Sequence, residues 1–211
     1  MSSSEPALAY GATMAYGRPT VRAGDETDEA LMERYARGDA WALRALFERY
    51  APRLHAFFAR SVGASSEDLL QTTFLKLHAA RHDYVSGLPL RPWIFTIAAR
   101  ARADELRRRY RSRLEPGAEP DETADVRTAS PEDRLEAQRV HSAIEELPEG
   151  QRLVVYLHRF EGLTFAEIAS VIGEVEKKSI TEGAARIRAF RAYAALREKL
   201  GAPEREGLEG P

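Results

Sequence analysis

Thr164-Phe-Ala-Glu-Ile-Ala-Ser-Val-Ile-Gly173 carries the signals for both ends of a short helix. Thr164 and Glu167 form a capping box, each side chain satisfying a backbone N–H at the helix start, and Gly173 suits the turn that ends a helix. After Glu174-Val-Glu-Lys-Lys-Ser179, a second helix is expected from about Ile180 to Leu200. Two helices so connected read as a helix-turn-helix. On the second, Ala185, Ala189, Ala192, Tyr193 and Leu196 gather on one side. Ala184, Ile187, Arg188 and Arg191 face away, flanked by Arg186 and Arg197. Small and cationic residues on an outer face suit a DNA major groove, where arginine can bind guanine bidentately and an aliphatic group can meet a thymine methyl.

Outward from this motif the chain divides at its punctuation. Residues 131–200 are helical, with Ser130 as N-cap before Pro131 and Asp133, and Ser179 with Glu182 as a further capping box. Residues 114–130 combine Pro, Gly and acid with almost nothing to bury, which marks a flexible acidic linker. Residues 25–113 are helical again. Leu31, Tyr35, Leu43, Leu46, Phe47, Tyr50, Leu54, Phe57 and Phe58 recur at helical spacing as core positions, and Ser65 with Asp68 reads as another capping box. Residues 1–24 read as a mobile tail, and 201–211 are expected to fray. No segment alternates long enough for a sheet. The expected fold is all-α, two small helical domains on a tether that leaves them free to separate.

Charge distinguishes the segments more than the total of −2 over 211 residues. Between Ile97 and Arg113 stand seven arginines (100, 102, 107, 108, 109, 111 and 113) against Asp104 and Glu105, a segment able to hold phosphates. Arg100, Arg107 and Arg111 share a face, with Asp104 placed to pair with Arg100 and Arg108, while Trp93, Ile94, Ile97, Ala98 and Ala101 pack opposite. From Glu115 to Glu136 the balance is −6, so the linker acids are expected to repel DNA and to screen Arg107 to Arg113.

Other classes of function find little support. The chain has no cysteine, which removes disulfides, thiolate metal sites and cysteine nucleophiles. The histidines at 55, 78, 82, 141 and 158 form no metal-binding spacing, and no phosphate loop or nucleophile elbow occurs. No catalytic residue, metal or cofactor is expected. No apolar run is long enough for membrane insertion, and a cytoplasmic protein is expected.

Glu67-Asp-Leu-Leu-Gln-Thr-Thr-Phe-Leu-Lys-Leu77, Pro92-Trp-Ile-Phe-Thr-Ile-Ala98 and Asp104-Glu-Leu-Arg-Arg-Arg109 resemble region 2 of the extracytoplasmic-function sigma factors of bacterial RNA polymerase. Leu147-Pro-Glu-Gly-Gln-Arg152 and Phe160-Glu-Gly-Leu-Thr-Phe-Ala-Glu-Ile-Ala169 resemble their region 4. The resemblance spans about residues 26–113 and 131–200, in the family's order. It implies a promoter-recognition subunit whose Asp68, Leu69, Gln71 and Phe74 dock on the β′ clamp of core RNA polymerase. It further implies that the loop before Trp93 captures a flipped base of the minus-ten element, with Arg100, Arg107, Arg108 and Arg109 on nearby promoter DNA. Ala184, Ile187, Arg188 and Arg191 would meet the minus-thirty-five element, and an anti-sigma factor would be a regulatory partner. Thr72 stands where the family usually has an acid, and Ala99-Arg100 where it often has Arg-Asn. Glu174 to Ser179 lengthens the tight turn between the helix-turn-helix helices. These departures motivate an alternative, a sigma-like decoy that binds an anti-sigma factor without directing transcription.

Overall fold

The computed structural model describes residues 26–113 and 131–201; the expectations for both tails, the linker and Ser130 lie outside them. Among the described residues there are helices and turns and no strand. The first domain holds α1 (Asp28–Ala36), α2 (Ala40–Val62), α3 (Ser66–Ala79) and α4 (Leu90–Arg113). The second holds α5 (Pro131–Glu145), α6 (Glu149–Val155, continued by a wide π-helical turn over Tyr156–Phe160), α7 (Phe165–Glu176) and α8 (Glu182–Leu200).

Local chemistry sets most boundaries. Thr27 accepts from the Ala30 N–H and Asp39 from those of Trp41 and Ala42, so α1 and α2 begin on satisfied donors. The Thr164–Glu167 capping box forms with both bonds in place. The other two expected boxes do not form. The Ser65 hydroxyl turns away from the start of α3 and donates to Glu105 at 3.0 Å, and α8 is capped by Thr181 instead of Ser179.

Helix α7 does not stop at Gly173. It runs one turn further, to Glu176, and ends at Lys177 in the left-handed conformation, with the Lys178 N–H returning to the Gly173 carbonyl at 3.0 Å. A Cβ at Gly173 would lie 2.9 Å from the Lys178 carbonyl oxygen, so the chain closes over a residue without a side chain. The additional residues therefore lengthen the first helix of the motif and leave a compact turn after it.

Leu31, Tyr35, Leu46, Tyr50, Leu54, Phe57 and Phe58 are buried as expected, joined by Leu77, Leu90, Ile94 and Phe95. Leu43 is only partly buried, and Phe47 lies at the domain surface with its ring 4.7 Å from that of Phe74. The second core is built from Ile144, Leu147, Val154, Leu157, Ile168, Ile172 and the alanine face of α8.

The domains are not independent in this structure. Helix α4 packs along α7, and Phe57 meets Tyr156 edge-on at 6.2 Å between centroids. Tyr156 donates its hydroxyl to the Arg60 carbonyl at 2.8 Å, and the Arg60 guanidinium lies 4.2 Å from the centre of the Phe160 ring. The linker composition suggests free domains because nothing in it can anchor them. Anchoring is instead supplied by side chains of the helices themselves.

Candidate partner and nucleic-acid interfaces

On α3 the helical period separates two classes of residue. Leu69, Leu70, Thr73 and Leu77 are buried, whereas Asp68 and Gln71 are exposed one turn apart. Phe74 is half-buried on Phe47, and beside it Leu75 is 70% exposed. Asp68 and Gln71 thus face solvent, while Leu69 supports the helix from beneath. Phe47, expected in the core, is instead exposed against Phe74, and Leu75, off the buried stripe of α3, adds a further exposed apolar side chain.

The arginines of α4 fall into three groups. Arg102 and Glu105 continue the buried stripe begun by Ala98, at i+4 and i+7, and Arg102 is only 1% exposed. Glu105 accepts two bonds from Arg108, at 2.7 and 2.8 Å, one from Arg109 at 2.8 Å, and the Ser65 hydroxyl. Arg108 foremost, then Arg109 and Ser65, overcome the effect of burial and hold the Glu105 carboxyl at about 2. Arg109 also donates to Ser65 and to the Val62 carbonyl, so it ties α4 to the end of α2. Arg107 is exposed and pairs with Asp104 at 2.9 Å, and Asp104 lies 3.8 Å from Lys76. The expected pairs of Asp104 with Arg100 and Arg108 give way to these because the second domain takes Arg100 and Glu105 takes Arg108. Arg111 is exposed beside Tyr110, and both line an open groove with Leu106, Arg107 and Glu149.

Acids of the second domain occupy two α4 arginines. Glu149 receives both terminal nitrogens of Arg102, whose guanidinium lies 5.6 Å from the Tyr156 ring centre. Glu174 receives Arg100 through its side chain and, at 3.3 Å, through its carbonyl. Glu161, 3% exposed at the end of the wide turn, pairs with Arg53 at 3.2 Å; burial raises its pKa against the pull of that cation.

Of the expected core face of α8, Ala185, Ala189, Ala192 and Leu196 are buried and Tyr193 is half-buried, its hydroxyl 2.8 Å from His158 Nδ1. Of the outward residues, Ala184 is half-buried, while Ile187 and Arg191 are exposed. Arg188 is not free to reach outward. It donates twice to Glu176, at 2.6 and 3.1 Å, and that carboxylate also takes Lys178 at 2.6 Å. The Arg188 bond, reinforced by Lys178, lowers the Glu176 pKa. Phe190, beside Ile187, is exposed and escaped the sequence reading, since an aromatic there fits neither a core nor a cationic face. Ahead of α4, Tyr84 packs edge-on to Trp93 at 5.5 Å between centroids, leaving Val85 and Leu88 exposed in the loop.

Among the described residues no cluster of metal-binding side chains gathers, and no helix is long and apolar enough to cross a membrane. A four-helix bundle with an exposed polar pair on α3, followed by a helix-turn-helix, defines a two-region all-helical protein. Residues 46–112 match the family described as Sigma-70 region 2, and residues 137–196 that described as Sigma-70, region 4. The chain is similar to RNA polymerase sigma factor CarQ of Myxococcus xanthus, 41% identical over 83% of this chain and 98% of that protein. It is also similar to the ECF RNA polymerase sigma factor SigF of Caulobacter vibrioides, 33% identical over 82% of this chain and 93% of that protein. A solved structure of sigma factor RpoE with anti-sigma factor NepR, from Bartonella quintana, superposes with a TM-score of 0.64 at 25% identity, covering 76% of this chain and 98% of that one. The chain belongs to the extracytoplasmic-function sigma factors, the promoter-directing subunits of bacterial RNA polymerase.

Proposed function

We propose that α3 docks this sigma factor on the β′ clamp of core polymerase through Asp68 and Gln71, with Phe74 and Leu75 as an apolar margin and Leu69 holding the helix in place. The observation that carries this is the partition of α3 into an exposed polar pair and a buried leucine stripe. Exposed polar groups beside a half-covered aromatic are a common composition for a protein interface. Arg107 and Arg111, exposed on α4, then follow promoter phosphates near the melted segment, and the outer face of α8 enters the major groove at the upstream element. The protein works where the polymerase is, in the cytoplasm, without catalysis of its own.

For an anti-sigma factor, the packed arrangement of the two domains is the natural target, because a single partner can span both. The resemblance to a sigma factor solved with such a partner supports this reading.

The test is core binding and run-off transcription by Asp68→Ala with Gln71→Ala. Both side chains are exposed, so helical content should stay unchanged while affinity for core falls at least about tenfold, the equivalent of 1.4 kcal/mol. Undiminished core affinity would remove the docking assignment.

A further inference from the structure

The outer face of α8 carries less available charge than its sequence suggests. At about 100° per residue, Gly183, Ile187, Phe190, Arg191 and Ala194 fall in one row, and all are exposed. The cations at the start of the helix are engaged. Arg186 donates to Glu182 at 2.7 Å and lies 5.5 Å from the Phe165 ring centre, while Arg188 is doubly bonded to Glu176. Arg191 sits a full turn beyond Ile187. What the first two turns offer a groove is therefore glycine and isoleucine.

Neither residue is explained by the fold. Ile187 is 54% and Phe190 68% exposed, and no other described element covers them. Gly183 has ordinary helical backbone, and the nearest atom to an added Cβ is Thr181 Oγ1 at 4.0 Å, so alanine would fit. Glycine within a helix costs up to about 1 kcal/mol relative to alanine, and here packing does not require it. Its absent side chain does let the outer face approach another surface closely.

We propose that Ile187 is a specificity-determining residue that reads a thymine in the upstream promoter element through its 5-methyl group. The proposal rests on α8 being the DNA-reading helix. Of the four bases only thymine presents a methyl in the major groove. The others present donors and acceptors that an aliphatic side chain would strip of water without replacing the hydrogen bonds. Gly183 allows the backbone to come near, Ile187 makes the methyl contact, and Arg191 meets the phosphate beyond. Duplex DNA suits this row better than an apolar protein groove because an exposed cation, Arg191, stands within it.

The test uses the full chain assembled with core polymerase and a promoter library randomised over the upstream element. The selected sequences should contain at least one invariant T·A pair. Replacing that dT with dU deletes only the methyl and should weaken wild-type binding about fourfold, the worth of one buried methyl-sized group. Ile187→Ala should lose the same factor on dT and be indifferent to dU, while Ile187→Val should retain most of the discrimination. If an element is enriched and dU matches dT at every position, the proposal is wrong and the sigma assignment stands. If Ile187→Ala instead dissociates a dimer in sedimentation, the row is a protein contact and the proposal falls. If no upstream sequence is enriched, the reading of α8 as a DNA helix falls and takes the proposal with it.

Discussion

Helix α4 carries arginines at 91, 100, 102, 107, 108, 109, 111 and 113, and α8 carries them at 186, 188, 191 and 197, yet the two helices dispose of their charge differently. Along α4 the arginines sort by depth. Arg102 lies in the junction between domains, Arg109 laces α4 to α2, and Arg107 and Arg111 remain at the surface. Along α8 they sort by partner, since Glu182 and Glu176 take the two nearest the start and leave an apolar row between. A cation count thus overstates what either helix can offer DNA, though not in the same way. In α4 Arg102 and Arg109 are spent on structure while Arg100, Arg107 and Arg108 are paired with acids, whereas in α8 pairing alone engages Arg186 and Arg188.

The strongest way to break this contrast is to remove Glu149. Arg102 is almost fully buried, and among the described residues its Nε has no hydrogen-bond partner and Glu149 alone supplies a counter-charge. Leaving a buried charge unpaired costs up to about 3–5 kcal/mol, less here because Glu149 is half exposed, and the chain can escape that cost by parting its domains so that water reaches Arg102. Glu149→Ala should therefore keep its helical circular dichroism and lengthen the distance between fluorophores placed on α2 and α8. An unchanged distance would mean that the apolar contact of Phe57 with Tyr156 holds the junction without the ion pair.

Within α4, Arg109→Ala and Arg111→Ala should separate structure from binding. The first removes bonds to Glu105, Ser65 and the Val62 carbonyl and should cost about 2 kcal/mol in thermal or urea unfolding. The second should leave stability within about 0.5 kcal/mol and lower the salt slope of promoter binding by about 0.9. Acid titration sharpens the same point. The Glu105 carboxyl is held at about 2 against an ordinary 4.5, so its contribution is complete above 4.5 and disappears as pH falls toward 2. Glu161 runs the other way: its raised pKa favours the folded state at low pH, and that advantage is lost as pH rises through its folded value. Glu105→Gln should flatten the acid limb by up to about 3 kcal/mol, and no change in that limb would remove Glu105 as the anchor.

Much of this was legible in the sequence because local chemistry and helical period are themselves written there. The Thr164 box, the alanine face of α8 and the Asp68 to Leu77 pattern each depend on residues within two turns of one another. Arg102 and Glu105 fall on the stripe begun by Ala98, so helical period alone marks them as buried although their charge suggests the surface. What the sequence could not show was partnership at long range. Nothing near Arg100 announces Glu174, and nothing near Arg188 announces Glu176, because both pairs depend on how far α7 extends. Gly173 looked like a stop signal. Its other use, admitting the Lys178 carbonyl at close range, becomes visible only once the turn is folded.

The weakest pair bears on how the free protein keeps off DNA. The linker acids were expected to screen α4, but Glu174 is the acid seen on Arg100, and both side chains are about half exposed. Exposed pairs contribute little, about 0–1 kcal/mol, so Glu174→Gln should not unfold or open the protein. It should free one cation of α4, raising the affinity of the full chain for duplex DNA, without polymerase and at low salt, by about two- to fivefold. The salt slope should steepen by somewhat less than one, because one more phosphate is neutralised. Replacing the acids between Glu115 and Asp125 with Gln provides the comparison. If Glu174→Gln raises affinity and the linker variant does not, the screen is a defined ion pair made by the extended end of α7. If only the linker variant raises it, screening is diffuse, and the Arg100–Glu174 pair is a surface contact without consequence for DNA.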